Sequence, residues 1–230
     1  MAITAAQVLL RASDIIQDQT NVRWPTDELL RYLNDGRREI CIARPDLYAT
    51  TTVFTLVAGT RQGLPADGAR FLDGVRNIAA DSSPGRAVRV VEREVLDAQL
   101  PNWHTEASGA TKHFMFDERS PRVFYVYPPA AAGQKFEAVY SRTPTDLTVT
   151  SAELTEEDMY AGTLVDYVCY RAFSKDSEYA GSLERASLHY SQFRNVLANG
   201  GSINNYVSPN TSNIGGRIPK NVAAAAATGG

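Results

Sequence analysis

The order of two apolar patterns along the chain constrains its fold more than any other feature. Apolar residues recur at helical spacing in residues 4–44 and 155–198, whereas residues 50–142 are rich in β-branched and aromatic side chains. This order predicts an α+β fold, in which the N- and C-terminal helices form a helical layer with an inserted antiparallel β unit and a flexible C-terminal tail. The expected domains are 1–48 (N-terminal helices), 49–150 (inserted β domain), 151–199 (C-terminal helices of the helical domain) and 200–230 (flexible tail).

The N-terminal helices have clear start and stop signals. Thr4 followed by Gln7 is the pattern of a capping box. A second helix is expected to begin near Pro25, because acidic residues follow it in the first turn, where the helix dipole favours them. Pro45 should end this helix near Ala43, because the residue before a proline avoids the helical conformation.

The C-terminal helices are expected to begin and end at similar signals. Thr155 precedes three acidic residues and is predicted to cap a helix. A break is expected near 176–177, and the sequence Asn199–Gly201 should end the last helix. Residues 200–230 contain few bulky apolar side chains, so burial cannot offset their ordering entropy and a flexible tail is predicted.

The middle of the chain is expected to form strands joined by turns. Gly59–Gly63 is interpreted as a turn, residues 92–99 as a short helix and residues 117–121 as a hairpin connection. Apolar and polar side chains alternate only weakly along residues 122–127, which predicts a strand that is buried on both faces. The expected strands cover residues 52–57, 86–91, 112–116, 122–127 and 135–141.

No residue pattern in the sequence predicts chemistry. The three histidines match no metal motif, and neither a nucleotide-binding loop nor a nucleophile elbow occurs. The carboxylates of 156–158 are explained by a helix dipole and those of 117–118 by loop solvation. Cys41 and Cys169 lie in apolar helical stretches and are expected to be buried thiols. We therefore predict no enzyme activity, no metal and no cofactor.

Targeting signals are also not expected. The first residues lack the basic and apolar segments of a signal peptide, and no apolar run approaches the roughly 18 residues of a membrane span. The two cysteines and the lack of a CxxC motif fit assembly in a reducing cytoplasm. No membrane partner is predicted.

Charge and tyrosine content indicate contact surfaces. The net charge of −3 argues against a surface that binds nucleic acid throughout. Arg86 and Arg89 have an odd spacing, so on one strand they would face opposite ways, and a solvated or ion-paired role is favoured for them. Arginine and tyrosine suit protein interfaces. The candidate residues for a subunit or portal interface are Arg37, Arg38, Tyr170, Arg171, Tyr190, Tyr206, Arg217 and Lys220.

A series of short motifs runs along residues 3–198. They are Trp24–Asn34, Arg37–Ile40, Gly59–Gln62, Leu64–Pro65, Val75–Asn77, Pro101–Trp103, Phe116–Asp117, Pro121, Tyr125–Pro128, Tyr140–Pro144, Tyr167, Tyr170–Ala172 and Lys175–Ser177. In this order the motifs resemble the phage head–tail adaptor (connector) family, which includes the tail tubular protein A of short-tailed phages. None of them is a catalytic motif.

The resemblance implies a structural virion protein at the head–tail junction, assembled in the host cytoplasm. Members of the family form a ring, usually of twelve copies, between the portal protein and a tail or nozzle protein. Genomic DNA passes through the ring without sequence-specific binding. A closed ring needs two different patches on each subunit, and the flexible tail is expected to order on a neighbouring subunit or on the portal.

Two other functions stay open from the residues alone. A DNA-binding module of a phage particle would show salt-dependent affinity for duplex DNA. A tail-associated hydrolase would need a carboxylate pair or a metal site in a cleft.

Overall fold

The computed structural model describes residues 3–155, 158–176, 178–179 and 181–207, with side chains described as far as Asn199. The expected α+β class is confirmed in these residues. The α-helices are α1 (Ala5–Ile16), α2 (Thr26–Ala43), α3 (Arg93–Gln99), α4 (Ala161–Lys175) and α5 (Ser182–Val207). The strands are β1 (Ala49–Thr55), β2 (Gly59–Gly63), β3 (Gly68–Ile78), β4 (Pro84–Ala87), β5 (Arg89–Val90), β6 (His113–Phe116), β7 (Val123–Ala130) and β8 (Lys135–Arg142).

The chain divides into two compact units. The helical unit comprises residues up to Ala49 and the segment Ser141–Ser202, and the β unit comprises Thr50–Tyr140. Residues 141–150, which the sequence analysis assigned to the β domain, lie with the helical unit. Asn34 explains this placement, because its side chain exchanges two hydrogen bonds with the backbone of Leu147, at 3.0 and 2.9 Å.

In the helical unit, α1 and α2 both pack against α4. The capping box of Thr4 and Gln7 is confirmed at the start of α1, and α2 spans the expected range. Most of the buried side chains in this packing are aliphatic. They include Val8, Leu29, Leu33, Ile40, Leu164 and Val168.

Gly36 allows α2 to approach α4 closely. A Cβ atom at this position would lie 2.8 Å from Cδ1 of Tyr167, closer than carbon atoms approach without strain. A side chain at position 36 would therefore force the two helices apart.

Two predicted helix ends are wrong. The α4 helix begins at Ala161, after a short 3₁₀ turn at Asp158–Tyr160, so Thr155 does not cap it. The hydroxyl of Thr155 instead accepts a hydrogen bond from Arg37, at 3.2 Å. The α5 helix continues through Gly200 and Gly201 to Val207, because glycine weakens a helix by only about 1 kcal/mol and does not by itself end it.

The β unit contains two four-stranded sheets, with strand orders β1-β8-β3-β4 and β2-β7-β6-β5. The hairpin expected around residues 117–121 is confirmed, since β6 and β7 pair antiparallel with Phe116 opposite Phe124. One face of β7 is buried and the other is half-buried. The short β5 strand pairs parallel to β6, which departs from the antiparallel arrangement expected for this unit.

Two strands were missed from the sequence. Gly59–Gly63, interpreted as a turn, forms β2 and pairs with β7. The eleven-residue β3 strand was not expected, because it is buried at every third residue and so lacks the alternation typical of a strand.

An aromatic core holds the β unit together. The rings of Phe71 and Phe124 are stacked with centroids 4.4 Å apart, and Phe114, Phe136 and Val126 are buried with them. A smaller buried cluster forms around Trp103, whose indole nitrogen donates to Asp97 at 2.8 Å.

The two cysteines are buried and not paired with each other, as predicted. Burial raises the pKa of the Cys169 thiol to about 12, so this thiol is unreactive at neutral pH. Among the described helices, none combines the length and the apolar character that crossing a membrane would require.

Candidate functional site

The predicted interface residues on α2 have different environments. Arg37 is only 2% exposed, and its guanidinium donates to the carbonyl of Thr145 at 2.7 Å and to the hydroxyl of Thr155. These bonds attach α2 to the segment that precedes α4. Arg37 therefore stabilises the helical unit internally, and we do not include it in a surface.

Arg38 and Arg171 belong to a row of ion pairs on the helical unit, here called the charged ladder. Its charged residues are Glu28, Asp35, Arg38, Asp146, Arg171 and Lys175. Arg38 is exposed and contacts Asp35 at 3.1 Å and Asp146 at 2.6 Å. Arg171, on α4, contacts Asp35 from the other side at 3.5 Å. Its guanidinium also lies 5.0 Å from the ring centroid of Tyr32. Asp35 thus lies between two arginines and connects α2 to α4.

The ladder continues towards the start of α2. Lys175 binds Glu28 at 2.8 Å, and the hydroxyl of Tyr32 donates to the same carboxylate at 2.5 Å. The hydrogen bond from Lys175, followed by that from Tyr32, lowers the pKa of Glu28. Burial, followed by the bond to Glu28, raises the pKa of Tyr32 to about 12. At neutral pH, Glu28 is therefore ionised and Tyr32 is neutral.

Tyr170 and Tyr190 join an aromatic cluster between α4 and α5. Their ring centroids are 4.6 Å apart, and both rings are half-buried. Phe193 lies 6.1 Å from Tyr190 and 5.0 Å from Tyr167. Burial raises the pKa of Tyr167 to about 12. The cluster packs α5 against α4 and leaves Tyr170 and Tyr190 partly exposed.

The remaining predicted interface residues cannot be placed on a surface. Tyr206 belongs to α5, but the structure describes side chains only as far as Asn199. Arg217 and Lys220, together with the expected flexible tail beyond Val207, lie outside the described residues.

Several large apolar side chains of the helical unit are exposed, and the sequence analysis did not identify them. Val22 is 81% exposed, Ile42 80% and Met159 73%. Ile42 does not share the helical spacing of the buried residues Leu33, Arg37 and Ile40, and it lies on the opposite face of α2.

A basic cavity lies on the β unit. It has a volume of about 350 Å³ and is lined by Arg86, Ala87, Arg89, Lys112 and His113. The expectation of one strand over residues 86–91 is wrong, because Arg86 lies on β4 and Arg89 on β5, which belong to different sheets. Although the two arginines share no strand face, both line this cavity. The chain crosses between the sheets at Val88, which is 7% exposed and belongs to the aromatic core.

A metal centre is not evident in the described part of the chain, where no three histidine, cysteine, aspartate or glutamate side chains converge. A family model described as SU10 adaptor protein matches residues 3–212, a range that includes both the helical unit and the β unit. No curated protein matches the chain.

Proposed function

Because the chain belongs to the SU10 adaptor protein family, we propose that copies of it form a ring that joins the portal of a phage head to the tail. Family membership makes the chain a phage adaptor protein and a component of the virion. The match over residues 3–212 is the observation that carries the proposal. A structural role fits this family, and we assign no catalytic activity.

The helical unit has surfaces of the kind that a ring requires. A closed ring places one patch of each subunit against a different patch of the next. The charged ladder and the exposed apolar residues Val22, Ile42 and Met159 differ in chemistry, so they suit different partners. Arg38, Tyr170, Arg171 and Tyr190 stay our candidates for contacts with a neighbouring subunit or the portal.

The finer features of the proposal come from the resemblance of the sequence to head–tail adaptors. They are a ring of twelve copies, a tail or nozzle protein on the far side, and a likeness to tail tubular protein A. Passage of genomic DNA through the ring without sequence readout is part of the same proposal.

Native mass spectrometry of the full chain mixed with its portal protein tests the ring. We expect a complex that contains many copies of the chain bound to the portal ring, and imaging of the virion should place it at the head–tail junction. A chain that stays monomeric with the portal and is missing from that junction would contradict the proposal.

The variant Ile42→Asp tests the apolar part of the surface. A charge at a position that becomes buried between subunits should weaken assembly, whereas the fold should tolerate it because the side chain is 80% exposed. The matched control is Ile40→Asp, at a position that is 0% exposed, which should unfold the helical unit. Normal assembly of the Ile42 variant would exclude this residue from the interface.

A DNA-binding module is the second candidate function, and the basic cavity favours it. The net charge of −3 limits any such activity to a local surface. Salt-dependent duplex binding by the isolated chain, without assembly on the portal, would favour this function over the ring.

A further inference from the structure

The basic cavity of the β unit contains positive charge that nothing described neutralises. Arg86, Arg89 and Lys112 are exposed and form no ion pair with any residue in the described ranges. Among the residues that the structure describes, the cavity is lined by no acidic side chain. This differs from the ladder of the helical unit, where each arginine contacts a carboxylate.

The cavity is built by tertiary contacts. The parallel pairing of β5 with β6 places Arg89 opposite His113. Asn77, on β3, donates to the carbonyl of Arg86 at 2.9 Å and to that of Thr111 at 2.7 Å, and it accepts from the Thr111 amide at 3.0 Å. One buried amide therefore fixes the backbone at Arg86 and next to Lys112.

His113 contributes to the wall of this cavity. Its Nδ1 atom is buried and has no partner among the described residues. Its ring stacks on Tyr127, with centroids 6.2 Å apart, and the Tyr127 hydroxyl donates to Glu106 at 2.9 Å.

The surroundings of His113 disfavour further positive charge. Burial is the largest cause that lowers the pKa of the imidazole, and repulsion from the three neighbouring cations lowers it further, whereas the backbone of Arg89 acts in the opposite direction. An anion in the cavity would offset this repulsion, because it would be attracted to the three cations and would favour the protonated form of His113.

We propose that this cavity binds the phosphate oxyanions of duplex DNA. Guanidinium groups match the geometry of phosphate oxygens, and His113 can supply a further donor once it is protonated. The choice of DNA over a free anion rests on the proposed function, in which genomic DNA passes the subunit. Contacts of this kind position a duplex without reading its sequence.

Fluorescence anisotropy with a short labelled duplex and the full chain tests the cavity directly. The double variant Arg86→Gln/Arg89→Gln should weaken binding by on the order of tenfold and reduce the salt slope by about 1 for each phosphate that the protein no longer neutralises. The control Arg70→Gln/Arg119→Gln removes the same charge from the same unit, at residues that contact Glu118 and Asp117. Equal weakening by both variants would overturn the proposal.

NMR titration of the His113 imidazole locates the ligand. Addition of duplex should raise the pKa of His113, whereas the pKa should not rise in the Arg86/Arg89 double variant. If inorganic phosphate raises this pKa and duplex does not, the ligand is a free anion and the assignment to DNA is overturned. If neither raises it, the cavity is not a phosphate site.

Assembly on the portal and the pKa shift of His113 test the ring and the DNA-binding cavity independently. A chain that never assembles on the portal but shows the duplex-dependent shift at His113 would contradict the proposed function and support the cavity as a DNA site. If the wild-type chain forms a ring but duplex causes no pKa shift at His113, the proposed function is supported and the cavity is not a DNA site.

Discussion

Replacement of Asn77 by alanine should destabilise the β unit by about 3 kcal/mol. Asn77 is 8% exposed and makes three hydrogen bonds to backbone atoms of Arg86 and Thr111. Thr111 is 0% exposed, so water cannot replace its two bonds, and each is worth about 1–1.5 kcal/mol. The bond to Arg86, at an exposed position, adds about 0.5–1 kcal/mol.

Urea unfolding followed by tryptophan fluorescence measures this change. The chain has two tryptophans, Trp24 in the helical unit and Trp103 in the β unit, so a Trp24→Phe background reports the β unit alone. With a urea slope of about 1–3 kcal/mol per M, the midpoint should fall by about 1–3 M without a change in slope.

The matched control is Asn102→Ala in the same background. Asn102 is exposed and its side chain makes no capping bond, so the midpoint should change by less than the equivalent of about 0.5 kcal/mol. If Asn77→Ala lowers the midpoint no more than this control does, Asn77 does not hold the two chain segments together, and its role in building the cavity is refuted.

Two further predictions concern packing and pH. Gly36→Ala should destabilise the helical unit by about 1–3 kcal/mol, because the new Cβ meets Tyr167, whereas Gly162→Ala, with open space around it, should stabilise α4 by up to about 1 kcal/mol. Thermal unfolding followed by circular dichroism measures both, and equal effects would contradict the close approach of α2 and α4. Because the pKa of His113 is lowered in the folded chain, the unfolded chain binds the proton more readily. The β unit should therefore lose stability as pH falls through about 6.5, and His113→Gln should reduce this loss. Urea midpoints at pH 5.5 and 7.5 test it, and an unchanged pH dependence in the variant would contradict the pKa assignment.

The basic cavity shows why candidate sites could not all be found from the sequence. On a single strand, the three-residue spacing would place Arg86 and Arg89 on opposite faces. The chain instead passes from one sheet to the other at Val88, which lies between them. The available signal was that residues 82–91 contain two arginines and no acid. The other two lining residues, Lys112 and His113, lie at the start of β6, more than twenty residues away, and only the pairing of β5 with β6 brings them near Arg89.

The sequence by itself determined the α+β class, the start of α1, the limits of α2 and the burial of both cysteines. These features depend on local interactions, such as capping, the restriction before proline and apolar periodicity, which act over a few residues. Tertiary structure decided the burial of Arg37, the existence of β2 and β3, and the convergence of basic side chains around one cavity. Each of these requires hydrogen bonds or packing between residues far apart in the chain, and local sequence does not specify such partners.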